Sequence, residues 1–176
     1  MKKIPEWYVI TGGPGSGKTT TLEHIAKLGY YTVPEDSRMY IDRELAKGKT
    51  IEEIRGDKQE FQNHITKVKF QLEKKTPNNK TVFMDRGMPD LLAYYRYLKL
   101  KLPKNLVGQC KNRYKKIFLL GMLPFKNDYA RIETEKEAKM IHKTIKKTYM
   151  ELGYKVVRIP VASVEKRVKM ILKHIK

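Results

Sequence analysis

The residues from Gly12 to Thr19 form the segment of this sequence with the clearest chemical potential. They read Gly-Gly-Pro-Gly-Ser-Gly-Lys-Thr and fit the pattern G-x-x-x-x-G-K-[ST]. In such a loop the backbone N–H groups point at phosphate oxygens, the side chain of Lys18 reaches the β- and γ-phosphates, and the hydroxyl of Thr19 ligates Mg²⁺. The sequence therefore predicts a site for a nucleoside triphosphate with Mg²⁺. The predicted nucleotide-binding residues of this segment are Gly12, Gly13, Pro14, Gly15, Ser16, Gly17, Lys18, Thr19 and Thr20.

The segments on either side of this loop fit the same interpretation. Residues 7–11 are a short apolar run of β-favouring residues, which predicts a buried parallel strand. Residues 19–28 place Leu22 and Ile25 on one helical face. A helix that begins at the loop adds the positive end of its dipole to the phosphate site. We take ATP as the nucleotide, although nothing in the residues distinguishes ATP from GTP.

Charged residues follow two further predicted strands, at the sheet edge where α/β proteins bind ligands. Glu35 follows the strand at 30–33, and Asp85 and Arg86 follow the strand at 81–84. We expect Asp85 to hold Mg²⁺ through water, Arg86 to grip an anionic group or a substrate hydroxyl, and Glu35 to accept the proton of an acceptor hydroxyl. Each residue also has a purely structural alternative. Asp85 could cap the turn that follows it, Glu35 could cap the helix that follows it, and Arg86 could form a structural salt bridge.

Two other groups of residues have a chemical and a structural interpretation. Arg131 lies in the irregular segment 121–132 after the fourth predicted strand, where it could supply a cation to the γ-phosphate or stay solvated. The tyrosines at 94, 95 and 97 could stack on bases, but Tyr95 is expected in the core and the others at a helix edge. The four histidines share no metal-ligand spacing and are expected on the surface or in packing.

Strands and helices alternate along the chain and predict the architecture that positions these residues. Strands are expected at 7–11, 30–33, 81–84, 116–120 and 154–159, with helices between them. Ser37 is expected to cap the helix after the second strand, and Thr50, Asp57 and Thr134 to begin further helices. We predict a three-layer α/β fold with a five-stranded parallel sheet in the order 2-3-1-4-5. The helical insertion between strands 2 and 3 would hold the substrate, within one domain spanning residues 1–176.

Composition narrows the class of protein. The chain has 176 residues, 40% of them hydrophobic and 32% charged, with one cysteine and a formal net charge of +19. It has no run near the roughly 18 apolar residues of a membrane span and no secretory signal, so we expect no membrane partner. The single cysteine, Cys110, cannot form an intramolecular disulfide, so we expect a reduced, cytoplasmic setting. The positive charge has two interpretations, a solvated lysine surface or a face that binds a polyanion such as nucleic acid. The oligomeric state is not predictable from these features.

Four stretches of the sequence resemble one family. These are residues 10–20, Val33-Pro34-Glu35-Asp36-Ser37-Arg38, residues 83–94 with Asp85-Arg86-Gly87 and Asp90, and residues 152–160. They resemble small P-loop kinases and a family of AAA-domain ATPase/kinases related to NadR-type ribosylnicotinamide kinases. The resemblance implies that Asp85 and Arg86 lie at the metal and acceptor site and Glu35 at the acceptor, and that the loop beginning at Pro160 borders adenine. Residues 1–176 lack the Asp-Gly-Phe-Pro-Arg stretch of adenylate-type kinases, and we expect them to include no second nucleotide-binding domain like that of bifunctional NadR proteins.

Residues and resemblance together favour one function over two others. We expect an ATP- and Mg²⁺-dependent phosphotransferase that moves the γ-phosphate to a hydroxyl of a small nucleoside-like acceptor. A polynucleotide 5′-hydroxyl kinase or other nucleic-acid-associated ATPase is the alternative suggested by the positive charge. A regulatory ATP-binding module with slow hydrolysis is the second alternative.

Overall fold

Five apolar segments form a parallel sheet in the computed structural model, which describes residues 4–124 and 133–175. The strands are β1 (Trp7–Thr11), β2 (Tyr31–Val33), β3 (Val82–Asp85), β4 (Lys116–Leu120) and β5 (Val156–Ile159). Their order in the sheet is β2-β3-β1-β4-β5, and every neighbouring pair is parallel. The predicted order is confirmed. It brings the carboxyl ends of β1, β2 and β3 to one edge, where the loop after β1 lies beside Glu35, which follows β2, and Asp85, which ends β3.

Eight helices surround the sheet in the described part of the chain. They are α1 (Lys18–Lys27), α2 (Asp36–Ala46), α3 (Ile51–Arg55), α4 (Lys58–Lys75), α5 (Met88–Tyr97), α6 (Leu106–Gln109), α7 (Glu135–Glu151) and α8 (Val164–Lys173). The predicted caps at Thr50, Asp57 and Thr134 each accept a backbone N–H from the residue three positions later. The predicted cap at Ser37 is wrong, because α2 begins at Asp36 and the Ser37 hydroxyl instead donates to the carboxylate of Glu35.

Side chains alternate between the two faces of the central strands, which creates a core on each face. Val9 packs with residues of α5 and α7, whereas its neighbour Ile10 packs with residues of α1 and α8. The three predicted layers are thereby confirmed. A third buried cluster joins α2, α3 and α4 to α5 and includes Ile41, Ile65 and Tyr95. The predicted insertion between β2 and β3 is therefore a packed helical cap. No described helix has the length and apolar character needed to cross a membrane.

Candidate phosphate-binding and acceptor site

The loop between β1 and α1 has the backbone conformation that its glycines predict. Gly12 has φ 150° and Gly17, the N-cap of α1, has φ 80°. A Cβ at Gly12 would lie 2.6 Å from the Ser16 hydroxyl oxygen and 3.0 Å from the Leu120 carbonyl oxygen. Side chains at these positions would deform the loop. The glycines thus let the chain turn tightly around an anion and present N–H groups at the start of α1.

The side chain of Lys18 lies back across the same loop. Its ammonium donates to the carbonyl oxygens of Gly12 at 3.4 Å and Gly13 at 3.2 Å, and the residue is 6% exposed. Burial and the nearby Arg86 lower the pKa of Lys18 to about 8, against the opposing attraction of Asp85 and Glu35. The group is therefore a cation held by weak, neutral partners, which a phosphate oxygen can replace.

Asp85 and Thr19 lie side by side at the edge of the sheet. The Thr19 hydroxyl donates to Oδ2 of Asp85 at 3.2 Å. The Asp85 side chain is buried, and its Oδ1 is one of the few buried polar atoms with no hydrogen-bond partner among the described residues. Burial and the neighbouring Glu35 raise the pKa of Asp85 to about 7, against the pull of Lys18 and Arg86. A bound cation could therefore be the missing partner of Oδ1.

This pair fits Mg²⁺. A hydroxyl and a carboxylate oxygen are hard ligands, and protein sites that act on phosphates commonly hold Mg²⁺ with one or two such groups plus water and phosphate oxygens. No cluster of three or more His, Cys, Asp or Glu side chains suited to a metal occurs in residues 4–124 and 133–175. A metal here would therefore depend on Thr19, Asp85 and the nucleotide, as the sequence predicts.

Arg86 is the centre of the acidic group beside the loop. Its Nε donates to Glu35 at 3.2 Å, and its Nη1 donates to Asp90 at 3.3 Å and to the Gly12 carbonyl at 3.4 Å. The backbone of Arg86 has φ 63°, an uncommon left-handed conformation for a residue with a side chain. Strained backbone of this kind needs surrounding contacts to hold it. The structural salt bridge considered from the sequence for Arg86 is present, with Glu35 and with Asp90 as partners, and Arg86 also lines the crevice.

Asp90 holds the guanidinium of Arg86 in place. Its carboxylate is fully buried and accepts hydrogen bonds from the Thr11 hydroxyl, from the Gly87 N–H at 2.9 Å and from the Tyr149 hydroxyl at 2.5 Å. These donors come from β1, from the loop after β3 and from α7. The orientation of Arg86 is thus set by three elements of the fold.

Glu35 ends the short connection after β2 and faces the same crevice. Its Oε1 accepts from the Ser37 hydroxyl at 2.9 Å and from Nε of Arg86 at 3.2 Å. Burial alone would raise its pKa, but the charges of Arg86 and Lys18 and the hydrogen bond from Ser37 together lower the pKa of Glu35 to about 2. The carboxylate is therefore ionised at any physiological pH and can accept a hydrogen bond from a substrate hydroxyl.

Lys69 is a residue of this site that the sequence did not single out. It lies on α4, is fully buried, and its ammonium donates to the carbonyl oxygens of Asp85 at 3.2 Å and Arg86 at 2.6 Å. It thereby ties the helical insertion to the strained turn after β3. A positive charge this close also favours the ionised form of Asp85.

We expect Lys69→Met to destabilise the protein by about 1–3 kcal/mol, because it leaves two buried carbonyl oxygens without their donor. Urea unfolding followed by circular dichroism measures the change. Lys67→Met is the matched control, since Lys67 lies on the same helix and is exposed. Equal unfolding midpoints for the two variants would contradict a bracing role for Lys69.

A cavity of about 220 Å³ opens from the phosphate-binding loop toward the helical insertion. Lys18, Thr19 and Thr20 lie at its loop end, together with Glu35 and Arg86. Its other walls come from α2, α3, α4, α5 and α7 and combine apolar, aromatic and polar side chains: Ile41, Phe61, Gln62, Ile65, Leu91, Tyr94 and Tyr97. The sequence did not predict that Tyr94 would lie in this cavity. Its ring centre is 5.3 Å from the guanidinium carbon of Arg86. The predicted charged residues and a concave apolar wall share one space.

Three further residues considered from the sequence are Arg131, Pro160 and His142. Arg131 lies outside the described residues, so its role stays a prediction. Pro160 follows β5 and is exposed; its neighbour Val161 packs beside Gly121, where a Cβ would lie 3.1 Å from the Val161 nitrogen. The loop after β5 is thus adjacent to the end of β4. His142 has the packing role expected of a histidine, because its Nδ1 accepts from the Gly13 N–H at 3.1 Å.

Known proteins resemble this chain in sequence pattern and in fold. A family model described as "AAA domain" matches residues 7–167. No match is found among curated proteins. Among solved structures, a NadR protein in complex with NR superposes with a TM-score of 0.68 at 18% identity, covering 97% of this chain and 50% of the other. The present chain therefore spans about half the length of that protein.

Two further structures match over nearly their whole length. Shikimate kinase from Acinetobacter baumannii, in complex with shikimate, has a TM-score of 0.60 at 22% identity and covers 98% of this chain and 93% of its own. Deoxyadenosine kinase from M. mycoides, with bound products, has a TM-score of 0.63 at 14% identity, and the match covers 96% of this chain and 97% of the kinase chain. Identities this low establish the fold and leave the substrate open. Since the family model spans most of the chain, the protein belongs to the AAA-domain family, and its fold is that of the small P-loop kinases.

Proposed function

We propose that the protein transfers the γ-phosphate of ATP to a hydroxyl group of a small nucleoside-like acceptor. The observation that supports this most directly is the cavity that joins Lys18 and Thr19 to Glu35 and Arg86. A donor site and an acceptor site thus share one wall. A loop that only bound ATP would need no concave space beyond the γ-phosphate, lined by aromatic side chains and a carboxylate.

Phosphoryl transfer depends on positioning and on neutralising charge. Lys18, released from the carbonyls of Gly12 and Gly13, pairs with the β- and γ-phosphates. Arg86 is held by Glu35 and Asp90 at the wall between the two sites, where its guanidinium can stabilise charge on the transferred group. Mg²⁺, held by Thr19 and Asp85, would neutralise charge on the phosphate oxygens.

Glu35 has the position of the group that receives the acceptor hydroxyl. Its carboxylate lines the cavity, stays ionised and is kept in place by Ser37 and Arg86. A group with a pKa of about 2 is a weak base. In a loose transition state the hydroxyl loses its proton late, so orienting the oxygen matters more than basicity. We assign Glu35 the task of aligning the hydroxyl and accepting its proton as the new bond forms.

The cavity and the proteins that share its fold both support the acceptor class proposed here. The fold neighbours include a deoxyadenosine kinase, a thymidylate kinase and a NadR protein with bound NR, and also a shikimate kinase. The aromatic and amide side chains of Phe61, Gln62, Tyr94 and Tyr97 offer a stacking surface and hydrogen-bonding groups for a flat ring. These features favour a nucleoside-like acceptor over a purely aliphatic one.

The test is transfer of ³²P from γ-labelled ATP to a panel of nucleosides, nucleotides and 5′-hydroxyl oligonucleotides, with Lys18→Ala as the negative control. We expect labelling of at least one nucleoside-like compound by the wild-type protein and only background labelling by the variant. Labelling of oligonucleotides alone, with tight and steeply salt-dependent binding, would instead favour the polynucleotide kinase. ATP turnover that no acceptor changes would favour the regulatory module.

A further inference from the structure

Arg167, on α8, is a buried arginine that the proposed reaction does not use. The residue is 2% exposed. Its Nη1 donates to the carbonyl oxygen of Ser16 at 2.7 Å, and its Nη2 donates to the carbonyl oxygen of Gly121 at 3.4 Å. Its Nε is buried without a hydrogen-bond partner in the described residues. The side chain thus reaches from α8 to the phosphate-binding loop and to the end of β4.

The charge of Arg167 is unbalanced in the part of the chain that the structure describes. Two other buried or half-buried arginines pair with acids, Arg86 with Glu35 and Asp90, and Arg113 with Glu73. Arg167 has no carboxylate within ion-pair distance in residues 4–124 and 133–175, and both of its acceptors are neutral carbonyls. A buried charge without a counter-charge is costly, and proteins keep one where something else balances it. Burial also lowers the pKa of Arg167.

The position of the guanidinium indicates what balances it. A Cβ on Gly17 would lie 3.1 Å from Nη1 of Arg167. Gly17 is the N-cap of α1, where the N–H groups that bind phosphate begin. Arg167 is not part of the wall of the cavity that contains Lys18 and Glu35, so its charge lies against the loop from the side of α8, next to Ser16 and Gly17. A bound di- or triphosphate would bring negative charge to this part of the loop, in a region of low water access where charge interactions are strong.

We propose that Arg167 is a positioning residue for the donor nucleotide: it holds the loop by the Ser16 carbonyl, and its buried charge is balanced by the phosphates of the bound nucleotide. This inference rests on the nucleotide-binding role proposed above. Arg167 contributes in two ways, since the hydrogen bonds fix the loop and the charge attracts the phosphates. A contribution from the hydrogen bonds alone would leave ADP binding by Arg167→Gln, which keeps a donor, close to that of the wild type, and a general loss of structure would weaken ligands with and without phosphate alike.

The experiment compares ADP with adenosine, which lacks the phosphates, in NMR titrations of the full chain. Arg167→Gln removes the charge but keeps a hydrogen-bond donor, and Arg167→Lys keeps the charge. Lys173→Gln, at an exposed position on the same helix, is the control for loss of one positive charge. We expect Arg167→Gln to weaken ADP binding about tenfold, equivalent to about 1.4 kcal/mol, with adenosine binding unchanged. Arg167→Lys should stay within about threefold of wild type for ADP, and Lys173→Gln should match wild type.

Two results would overturn the proposal. One is ADP affinity of Arg167→Gln within threefold of wild type, and the other is an equal loss for ADP and adenosine. If Arg167→Gln does not fold, Arg167→Lys tests the proposal instead. A tenfold loss of ADP affinity in this variant, which keeps the charge, would contradict the role of the charge. Wild-type protein that binds no ADP at all would overturn the proposed function itself, which separates that failure from a failure of the Arg167 assignment.

Discussion

Asp85→Asn is expected to lower kcat for phosphoryl transfer about 100- to 1,000-fold while the protein stays folded. Asparagine keeps the shape of the side chain and an oxygen that can accept from the Thr19 hydroxyl. It removes the negative charge that would hold Mg²⁺. Because Oδ1 of Asp85 has no partner among the described residues, the exchange breaks no hydrogen bond seen there. Replacing a carboxylate whose pKa burial raises to about 7 should leave stability unchanged or slightly higher.

Steady-state kinetics at increasing Mg²⁺, together with urea unfolding, measures both parts of this expectation. The Mg²⁺ concentration at half-maximal rate should rise in Asp85→Asn, and saturating Mg²⁺ should recover only part of the rate. Removing metal with EDTA should abolish transfer by the wild-type protein. Asp42→Asn, at an exposed position on α2, serves as the control and should behave like wild type. Near-full turnover by Asp85→Asn at ordinary Mg²⁺ would remove Asp85 from the metal site.

The sheet and its order were predictable because strands and helices alternate strictly along the chain. The residues at which each strand begins and ends were less predictable. The run predicted at 154–159 begins as a strand only at Val156, the first residue that pairs with β4, through Ile117. Tyr154 instead lies in the connection after α7, where its N–H donates to the Tyr149 carbonyl at 3.0 Å. A β-favouring sequence does not show where a partner strand starts.

The site was predictable where its residues end strands, and not where they reach in from helices. Asp85 ends β3, Arg86 follows it and Glu35 follows β2, and these strands meet at one edge, so topology alone brings the three residues to the loop. Lys69 and Arg167 are helical cations, a type that is usually solvated. One signal could have identified them. Each stands at helical spacing from apolar neighbours, Lys69 four residues after Ile65 and Arg167 four before Ile171, on the face that becomes buried.

Glu35→Gln is expected to lower kcat about 100- to 10,000-fold, with little change in the KM for ATP. Glutamine fills the same space but cannot take the proton of the acceptor hydroxyl. Since the pKa of Glu35 is lowered to about 2, the wild-type group is charged across the working pH range, and the substitution removes that charge at every pH tested. Arg86 should keep its place, because Asp90 still accepts from its Nη1 at 3.3 Å.

Glu133→Gln provides the control that separates loss of a particular carboxylate from loss of charge in the cavity. Glu133 also lines the cavity, but it lies two residues before α7 and pairs with Arg55 of α3 at 3.6 Å. We expect that variant to change kcat less than tenfold and to act mainly on the KM of the acceptor, as loss of binding alone would. Initial rates over a range of acceptor concentrations distinguish the two patterns. If Glu35→Gln kept more than half of the wild-type kcat, the acceptor hydroxyl would have to be aligned by another group, and Glu35 would lose the role proposed for it.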